Sequence, residues 1–320
     1  MSTLHRCTLR QLRIFEAAAR TLHFGRAAAE LHLTQPAVSI QLKQLEETSG
    51  LALFEQSGRR MFLTPAGDEL LAHARALLAR FREADEALDA LKGARGGELR
   101  IATTTTAAHI APRLLAQFRR ERPAVRVRMT VDNRAAVITE LVENNVDLAL
   151  MGQPPAGLAV SAEAFARHPL AIIASPEHPL VGRRRLRLPQ LASESFLIRE
   201  RGSGTRNAME KVFAAHRFTP AETIEIGSNE TIKQAVMAGL GVSLISLHTV
   251  GLEVASNVLA RLDVRGLPVI REWFVIHRQE KRLTPVAAAF REFLLECGEA
   301  FVERATGVQG DGRMAPKRRR

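Results

Sequence analysis

Cysteine is nearly missing from this 320-residue chain, and the two present, Cys7 and Cys297, lie far apart with no His or Cys at metal-ligand spacing. A disulfide framework and a zinc site are both excluded as organising features, and two free thiols in a reducing compartment are expected. Also missing is any run approaching the roughly 20 apolar residues of a membrane span. The segment Met1 to Arg10 is polar and leads straight into an amphipathic pattern. It shows neither the apolar core nor the cleavage site of an export signal, so a cytoplasmic location is expected. Catalytic signatures are equally scarce. No Ser-His-Asp, paired-carboxylate or His-Glu-x-x-His arrangement is visible, and the glycines of Gly202 to Arg206 lack the spacing of a dinucleotide or triphosphate loop. The expectation is therefore not an enzyme, with no metal.

What is present is an ordinary globular composition, 46% hydrophobic and 25% charged, in a chain long enough for two or three domains. The net charge is +11, but its distribution carries more information than its sum. Residues 1–91 are neutral, with eleven basic and eleven acidic side chains; residues 92–306 carry +7 and residues 307–320 carry +4. Within the first segment, residues 1–67 hold eight basic against five acidic side chains. Overall basicity is thus weak evidence for nucleic acid, and a case for DNA must come from motif geometry.

That geometry starts near the N-terminus. Leu9, Leu12, Phe15, Ala19 and Leu22 recur at three- and four-residue steps, one apolar face of a first helix that closes near His23 to Gly25. A short second helix is expected over Arg26 to Leu31, where Ala27 to Ala29 permit a close helix crossing. Thr34 is placed as an N-cap and Pro36 falls in the first turn of a third helix, whose buried stripe is Val38, Leu42 and Leu45. This leaves Gln35, Pro36, Ser39 and Lys43 on the free side. Gln pairs with adenine, Ser bonds a base or phosphate, and Lys neutralises a phosphate. Leu53-Phe54, the basic turn Gln56 to Arg60 and Met61 to Leu63 read as a hairpin. A basic hairpin after such a helix is a wing.

Phe24-Gly25-Arg26-Ala27-Ala28, Thr34-Gln35-Pro36-Ala37-Val38-Ser39, Leu45-Glu46, and Leu53-Phe54 through Leu63-Thr64-Pro65-Ala66-Gly67 resemble the LysR-type transcription regulators. The resemblance implies a winged helix-turn-helix over residues 1–64 that binds double-stranded DNA through Arg26, Thr34, Gln35, Pro36, Ser39, Lys43, Arg59 and Arg60. Gln56 departs from the Arg that many members carry, which shifts the wing's phosphate grip to Arg59 and Arg60.

Thr64 and Pro65 open a helix with no internal Gly or Pro until Gly93, apart from Gly67 in its first turn. Roughly 27 residues at 1.5 Å each make it about 40 Å long. Leu70, Ala74, Leu77, Phe81, Ala84, Leu88 and Leu91 repeat along it at steps of four and three. A linker helix at 65–92 that pairs with a second copy through Leu70, Leu77, Phe81 and Leu88 is expected, giving a homodimer on a palindromic site. The stretch from Lys92 to Gly97 reads as a flexible boundary.

From Glu98 short apolar strands alternate with helices, an α/β domain over residues 93–306. Strands are expected at Leu99 to Thr103, Val125 to Val131, Val146 to Met151, Leu170 to Ala174, Ser195 to Arg199, Thr223 to Ile226 and Val242 to Ser246. The LysR resemblance implies a fold like that of periplasmic binding proteins, with two lobes (about 93–163 plus 267–306, and 164–266). Chain crossings are placed near Ala162 to Ala166 and Asp263 to Leu267. Thr104, Thr105 and Thr106 follow a strand; Gly202, Ser203, Thr205 and Arg206 form a polar loop before a helix; Ser228 and Asn229 cap the next helix, with Lys233 one turn inside. Free N–H groups, hydroxyls and cations facing one cleft point to an anionic ligand.

Asn133-Arg134, Met151-Gly152-Gln153-Pro154-Pro155, Gly202 to Arg206 and Gly227 to Gly241 are similar to the branch of the family that regulates Calvin-cycle carbon-fixation operons. It implies that Asn133, Arg134, Gly152 and Gln153 join the effector site. It implies no cofactor. As effector it implies a phosphorylated sugar, phosphoenolpyruvate or NADPH; for oligomeric state, a dimer of dimers; and for function, activation. The alternative is a regulator of another metabolic operon with a non-phosphorylated carboxylate effector. An exported solute-binding protein would need a signal and no DNA-reading head. The basic residues 307–320 are expected to be a disordered tail.

Overall fold

The computed structural model describes residues 6–58, 60–91, 96–309 and 311–313. Arg59, the stretch 92–95 and residues 314–320 lie outside the described residues. The chain divides into two compact units, with the change near Asp89.

In the N-terminal unit, α1 (Leu9–Thr21) begins at a reciprocal cap in which the Thr8 hydroxyl accepts from the Gln11 N–H and the Gln11 side chain accepts from the Thr8 N–H. Leu22 ends the helix in the left-handed conformation and is exposed rather than part of the buried stripe. The second helix starts earlier than the small-residue pattern predicts. Helix α2 (Phe24–Glu30) is capped by His23, whose Nδ1 accepts from the N–H groups of Gly25 and Arg26. Sequence reading overlooks this because His is not among the usual N-caps. Helix α3 (Gln35–Ser49) is capped by Thr34 and ends at Gly50, φ 73°. Val38, Leu42 and Leu45 are its buried side chains, as their spacing predicts.

The hairpin of β1 (Phe54–Ser57) and β2 (Arg60–Leu63) pairs Phe54 with Leu63 and Ser57 with Arg60. It is tied to α3 through Glu46, whose carboxylate accepts from the N–H groups of Leu53 (2.8 Å) and Phe54 (3.2 Å). Phe54 also meets Phe15 and Phe24 edge-on.

Helix α4 (Pro65–Leu91) has the expected 27 residues. Thr64 fastens its start, accepting from the Gly67 N–H and donating to the Ala52 carbonyl at 2.7 Å. A Cβ on Gly67 would lie 2.2 Å from the Leu53 carbonyl oxygen, so only glycine permits this approach. Along α4 the predicted seven-residue stripe separates into two environments. Leu70 and Ala74, with Leu71 and Leu78, pack into the unit's own core, whereas Leu77, Phe81 and Leu88 are 50%, 51% and 55% exposed.

In the C-terminal unit β3 (Gly97–Thr104), α5 (Ala111–Glu121), β4 (Val125–Asp132), α6 (Arg134–Val142) and β5 (Leu148–Met151) alternate, and β3 runs parallel between β4 and β5. The chain then crosses on β6 (Val160–Ala174), far longer than the Leu170 to Ala174 segment expected. The second lobe holds β7 (Ser195–Ile198), α7 (Gly204–Ala215), β8 (Glu222–Glu225), α8 (Asn229–Met237), β9 (Ser243–Ser246), α9 (Gly251–Ala255) and β10 (Ala260–Arg261). The return is β11 (Val269–Arg278), followed by α10 (Pro285–Thr306).

Strand β6 pairs antiparallel with the whole of β11 through its first eleven residues, Val269 opposite Leu170 and Arg278 opposite Val160, with an irregularity between Trp273 and Phe274. Phe165, Ala166, Trp273 and Val275 belong to the core of the first lobe, Leu170 and Val269 to that of the second. The crossings are therefore paired strands, a few residues C-terminal to the two positions placed from sequence. Alternation is obscured in β6 by alanines and by Pro169, which supplies no N–H to the ladder.

The tail expectation is corrected for residues 307–309 and 311–313. Gly307, φ 68°, reverses the chain after α10, so that Val308 is fully buried in the second lobe, and Arg261 donates to the Gly312 carbonyl at 2.6 Å.

Candidate functional site

Two regions carry chemistry. On the N-terminal unit, Gln35, Pro36 and Lys43 of α3 are exposed and Ser39 is half-buried, while Thr34 is engaged in capping. Arg60 on the wing and Arg26 on α2 are exposed, and Arg26 also donates to the Thr21 carbonyl at 3.1 Å. Ile40, 55% exposed, stands in the same helix. The face thus offers an amide, a hydroxyl, cations and one apolar side chain, the set that reads base edges and grips phosphate.

Inside the C-terminal unit a partly open cleft lies between the lobes. The first lobe contributes Thr104, Thr105 and Thr106 from the end of β3, Asn133 and Arg134 from the start of α6, and Gly152 and Gln153 after β5. The second contributes Arg199 at the end of β7 and Ser203, Gly204 and Thr205 at the start of α7, where Ser203 caps the helix. Helix starts and strand ends face the same space because β3, β5 and β7 lead into it, the usual place for a ligand in such layered domains.

Three residues predicted from sequence point elsewhere. Lys233 is buried but held by Glu230 and Glu253. Arg206 is taken up by Glu210, Glu225 and the Arg199 carbonyl. Ser228 caps α8 through the Thr231 N–H. Asn229 bonds to the cleft wall rather than lining it, and Gly202, φ 88°, turns the chain just before the lining loop.

Sequence reasoning missed Arg199, Arg271, His168 and Trp273, all of which line the cleft. Arg199 is almost fully buried and held by Glu200, with its guanidinium also donating to Asn229 and, across the cleft, to Thr105 at 3.2 Å. Asn229 donates to Thr106 at 3.1 Å, and the Thr106 and Thr205 hydroxyls lie 3.3 Å apart. Arg271 spans the lobes as well, donating to the Gly152 carbonyl at 2.7 Å and the Gly204 carbonyl at 3.2 Å. Burial, and then the charge of Arg134, presses the Arg271 pKa downward, as burial does for Arg134. The lining holds three guanidinium groups and no carboxylate. Arg199 already has Glu200 as its counter-charge, whereas Arg134 and Arg271 bond to carbonyl oxygens and could take added negative charge.

The floor is aromatic. Trp273 is fully buried, donates its indole N–H to His248 Nδ1 at 3.0 Å, and stacks on His168 with ring centroids 3.8 Å apart. Burial lowers the His248 pKa to about 4. Burial, then the charges of His248 and Arg271, holds His168 well below the usual imidazole range. Both rings are neutral near pH 7. Among the described residues no cluster of His, Cys, Asp or Glu could hold a metal ion, and no helix is long and apolar enough to cross a membrane.

A winged helix-turn-helix with a free polar face in one unit and a cleft between two lobes in the other define the class of regulators that join a DNA-binding head to a ligand-binding domain. Residues 9–68 match the bacterial regulatory helix-turn-helix protein, lysR family, and residues 92–298 match the LysR substrate binding domain. The chain belongs to the LysR family of transcription regulators.

It is similar to the RuBisCO operon transcriptional regulator of Allochromatium vinosum, 49% identical over 288 residues that cover 90% of this chain and 95% of that one. Among solved structures, the regulatory domain of CcmR from Synechocystis PCC6803 in complex with 2-PG is similar at 35% identity and TM-score 0.60, covering 62% of this chain and 96% of that chain. A full-length OxyR variant from Pseudomonas aeruginosa shares the fold at TM-score 0.71 and 22% identity, over 99% of this chain and 100% of that one.

Proposed function

We propose that this regulator activates a carbon-fixation operon in response to a small phosphorylated acid bound between its lobes. The observation that carries this reading is the cleft: three arginines, a set of hydroxyls and no carboxylate in its lining. Similarity to the RuBisCO operon regulator supplies the operon class, and similarity to the CcmR regulatory domain makes 2-phosphoglycolate the first effector to test. Phosphoenolpyruvate has the same carboxylate-plus-phosphate chemistry.

The protein acts in the cytoplasm by binding, with no catalysed reaction and no cofactor. Gln35, Pro36, Ser39 and Lys43 enter the major groove, with Thr34 and Arg26 at its edge and the wing following the backbone. Leu77, Phe81 and Leu88 of α4 pair with a second copy, so that two reading helices meet successive grooves about 34–36 Å apart; two such pairs form the tetramer. A ligand moves this assembly only by binding its states unequally. Opening the cleft would break the bonds of Arg199, Asn229, Thr205 and Arg271 that cross it, so a ligand seated there would favour the closed arrangement.

The test is DNase protection of the promoter beside the carbon-fixation genes, with and without 2-phosphoglycolate, phosphoenolpyruvate and NADPH. A changed pattern with a phosphorylated acid is expected. Protection that answers only to a non-phosphorylated carboxylate, or to nothing, refutes the effector assignment.

A further inference from the structure

His168 lies on β6 directly opposite Arg271 on β11, so the strands that connect the lobes carry both side chains into the cleft. The His168 residue is only 3% exposed, yet neither ring nitrogen has a hydrogen-bond partner among the described residues. One ring face is covered by Trp273 at 3.8 Å, and the Nδ1 edge closes on Gly152, where a Cβ would come within 3.0 Å. Buried polar groups are paired almost without exception, and an unpaired one costs stability. A buried imidazole that lines a cavity and lacks partners is thus a group waiting for one.

We propose that His168 is a ligand-contacting, specificity-determining residue of the cleft, whose imidazole N–H donates to an oxygen of the bound anion. This rests on the anionic-effector reading above. The charged and titratable groups around the ring are Arg271 on the neighbouring strand, His248 6.0 Å away, and Arg134 and Arg199 on the other walls of the cleft. None supplies an acceptor to the imidazole N–H, so the bound anion is its acceptor. Because His168 sits on a connecting strand, the same contact fixes the ligand to the hinge.

Trp273 is the single tryptophan in a chain with no tyrosine, so intrinsic fluorescence reports this site alone. Full-length wild type, His168→Phe and His168→Gln are titrated with 2-phosphoglycolate and with phosphoenolpyruvate, and their unfolding without ligand is followed by the same signal. Phenylalanine keeps the stacked ring but has no donor; glutamine keeps a donor. Loss of a hydrogen bond to a charged acceptor raises Kd about ten- to hundredfold for His168→Phe. His168→Gln recovers part of this, and the ligand-free Tm of His168→Phe equals or exceeds that of wild type. A purely structural histidine would give the reverse, a lowered Tm with unchanged Kd. If wild type binds and His168→Phe binds equally well, this inference falls while the effector reading stands. If wild type ignores both probes, both fall.

Discussion

Replacing Asp147 with alanine removes the anion at the centre of a buried charge triad. One carboxylate oxygen accepts from the Arg100 backbone N–H at 2.9 Å; the other accepts from the Arg100 guanidinium at 3.2 Å and from Lys281 Nζ at 3.0 Å. Asp147 is completely buried, with Arg100 at 7% exposure and Lys281 at 8%. The variant takes the shared carboxylate from two interior cations, Arg100 keeping the more distant Glu98 at 3.8 Å and Lys281 the Val146 carbonyl at 2.7 Å, a loss of about 3–5 kcal/mol. For a domain of this size each kcal/mol moves Tm by about 2–4 °C, so a fall of roughly 6–20 °C is expected. Trp273 fluorescence in the full-length protein isolates the unfolding of the sensing unit from that of the head, since no other tryptophan is present. Asp147→Asn keeps an acceptor for the Arg100 N–H and falls between. The triple variant Arg100→Met, Asp147→Leu, Lys281→Met, which removes all the charge together, recovers most of the loss. A shift below about 1 kcal/mol for Asp147→Ala would refute the triad as an interior lock.

Phe81→Glu places a charge on each half-exposed seam, and because a two-fold interface counts every change twice, dimers should dissociate at least about tenfold more readily in sedimentation equilibrium. An unchanged dimer moves the interface off this face of α4. Gln35→Ala, at an exposed position beside the cap, should leave Tm unaltered and cost about 1–3 kcal/mol in discrimination between promoter and random DNA by anisotropy. Arg60→Ala should instead weaken both and lower the salt slope by about 1; equal salt slopes would take the wing off the backbone. His248, neutral when folded down to about pH 4, takes up its proton near pH 6.5 once unfolded. The unfolded state therefore binds more protons between those values, and stability falls as pH drops through that window, by about 3 kcal/mol in all. A urea midpoint for the Trp273 signal that is flat from pH 7 to about 4.5 would contradict this.

The recognition helix was legible because its signals are local: Thr34 caps, Pro36 starts, and Val38, Leu42 and Leu45 share a face. Half of the cleft was legible for the same reason, since Thr104 to Thr106 and Ser203 to Thr205 mark strand ends and helix starts. The other half depends on register. His168, Arg271 and Trp273 come together only because β6 and β11 pair antiparallel, and neither strand shows clean alternation. Lys233 and Arg206 misled because a cation near a cap looks free in sequence, whereas Glu253, distant in the chain, claims Lys233, and Glu225 claims Arg206. Likewise the spacing of Leu70 and Leu77 is the same seven-residue step. Only the fold shows that the head covers the first and leaves the second bare.

The anchoring of α4 to the head has a mechanical consequence. With Thr64 hooked to Ala52, Gly67 seated against the Leu53 carbonyl, and Leu71, Ala74 and Leu78 sunk among the head's own side chains, no joint separates the groove-reading surface from the rod behind it. Head and the first half of the rod are one packed body, so in the dimer proposed above any rotation of α4 would turn the groove-reading surface with it.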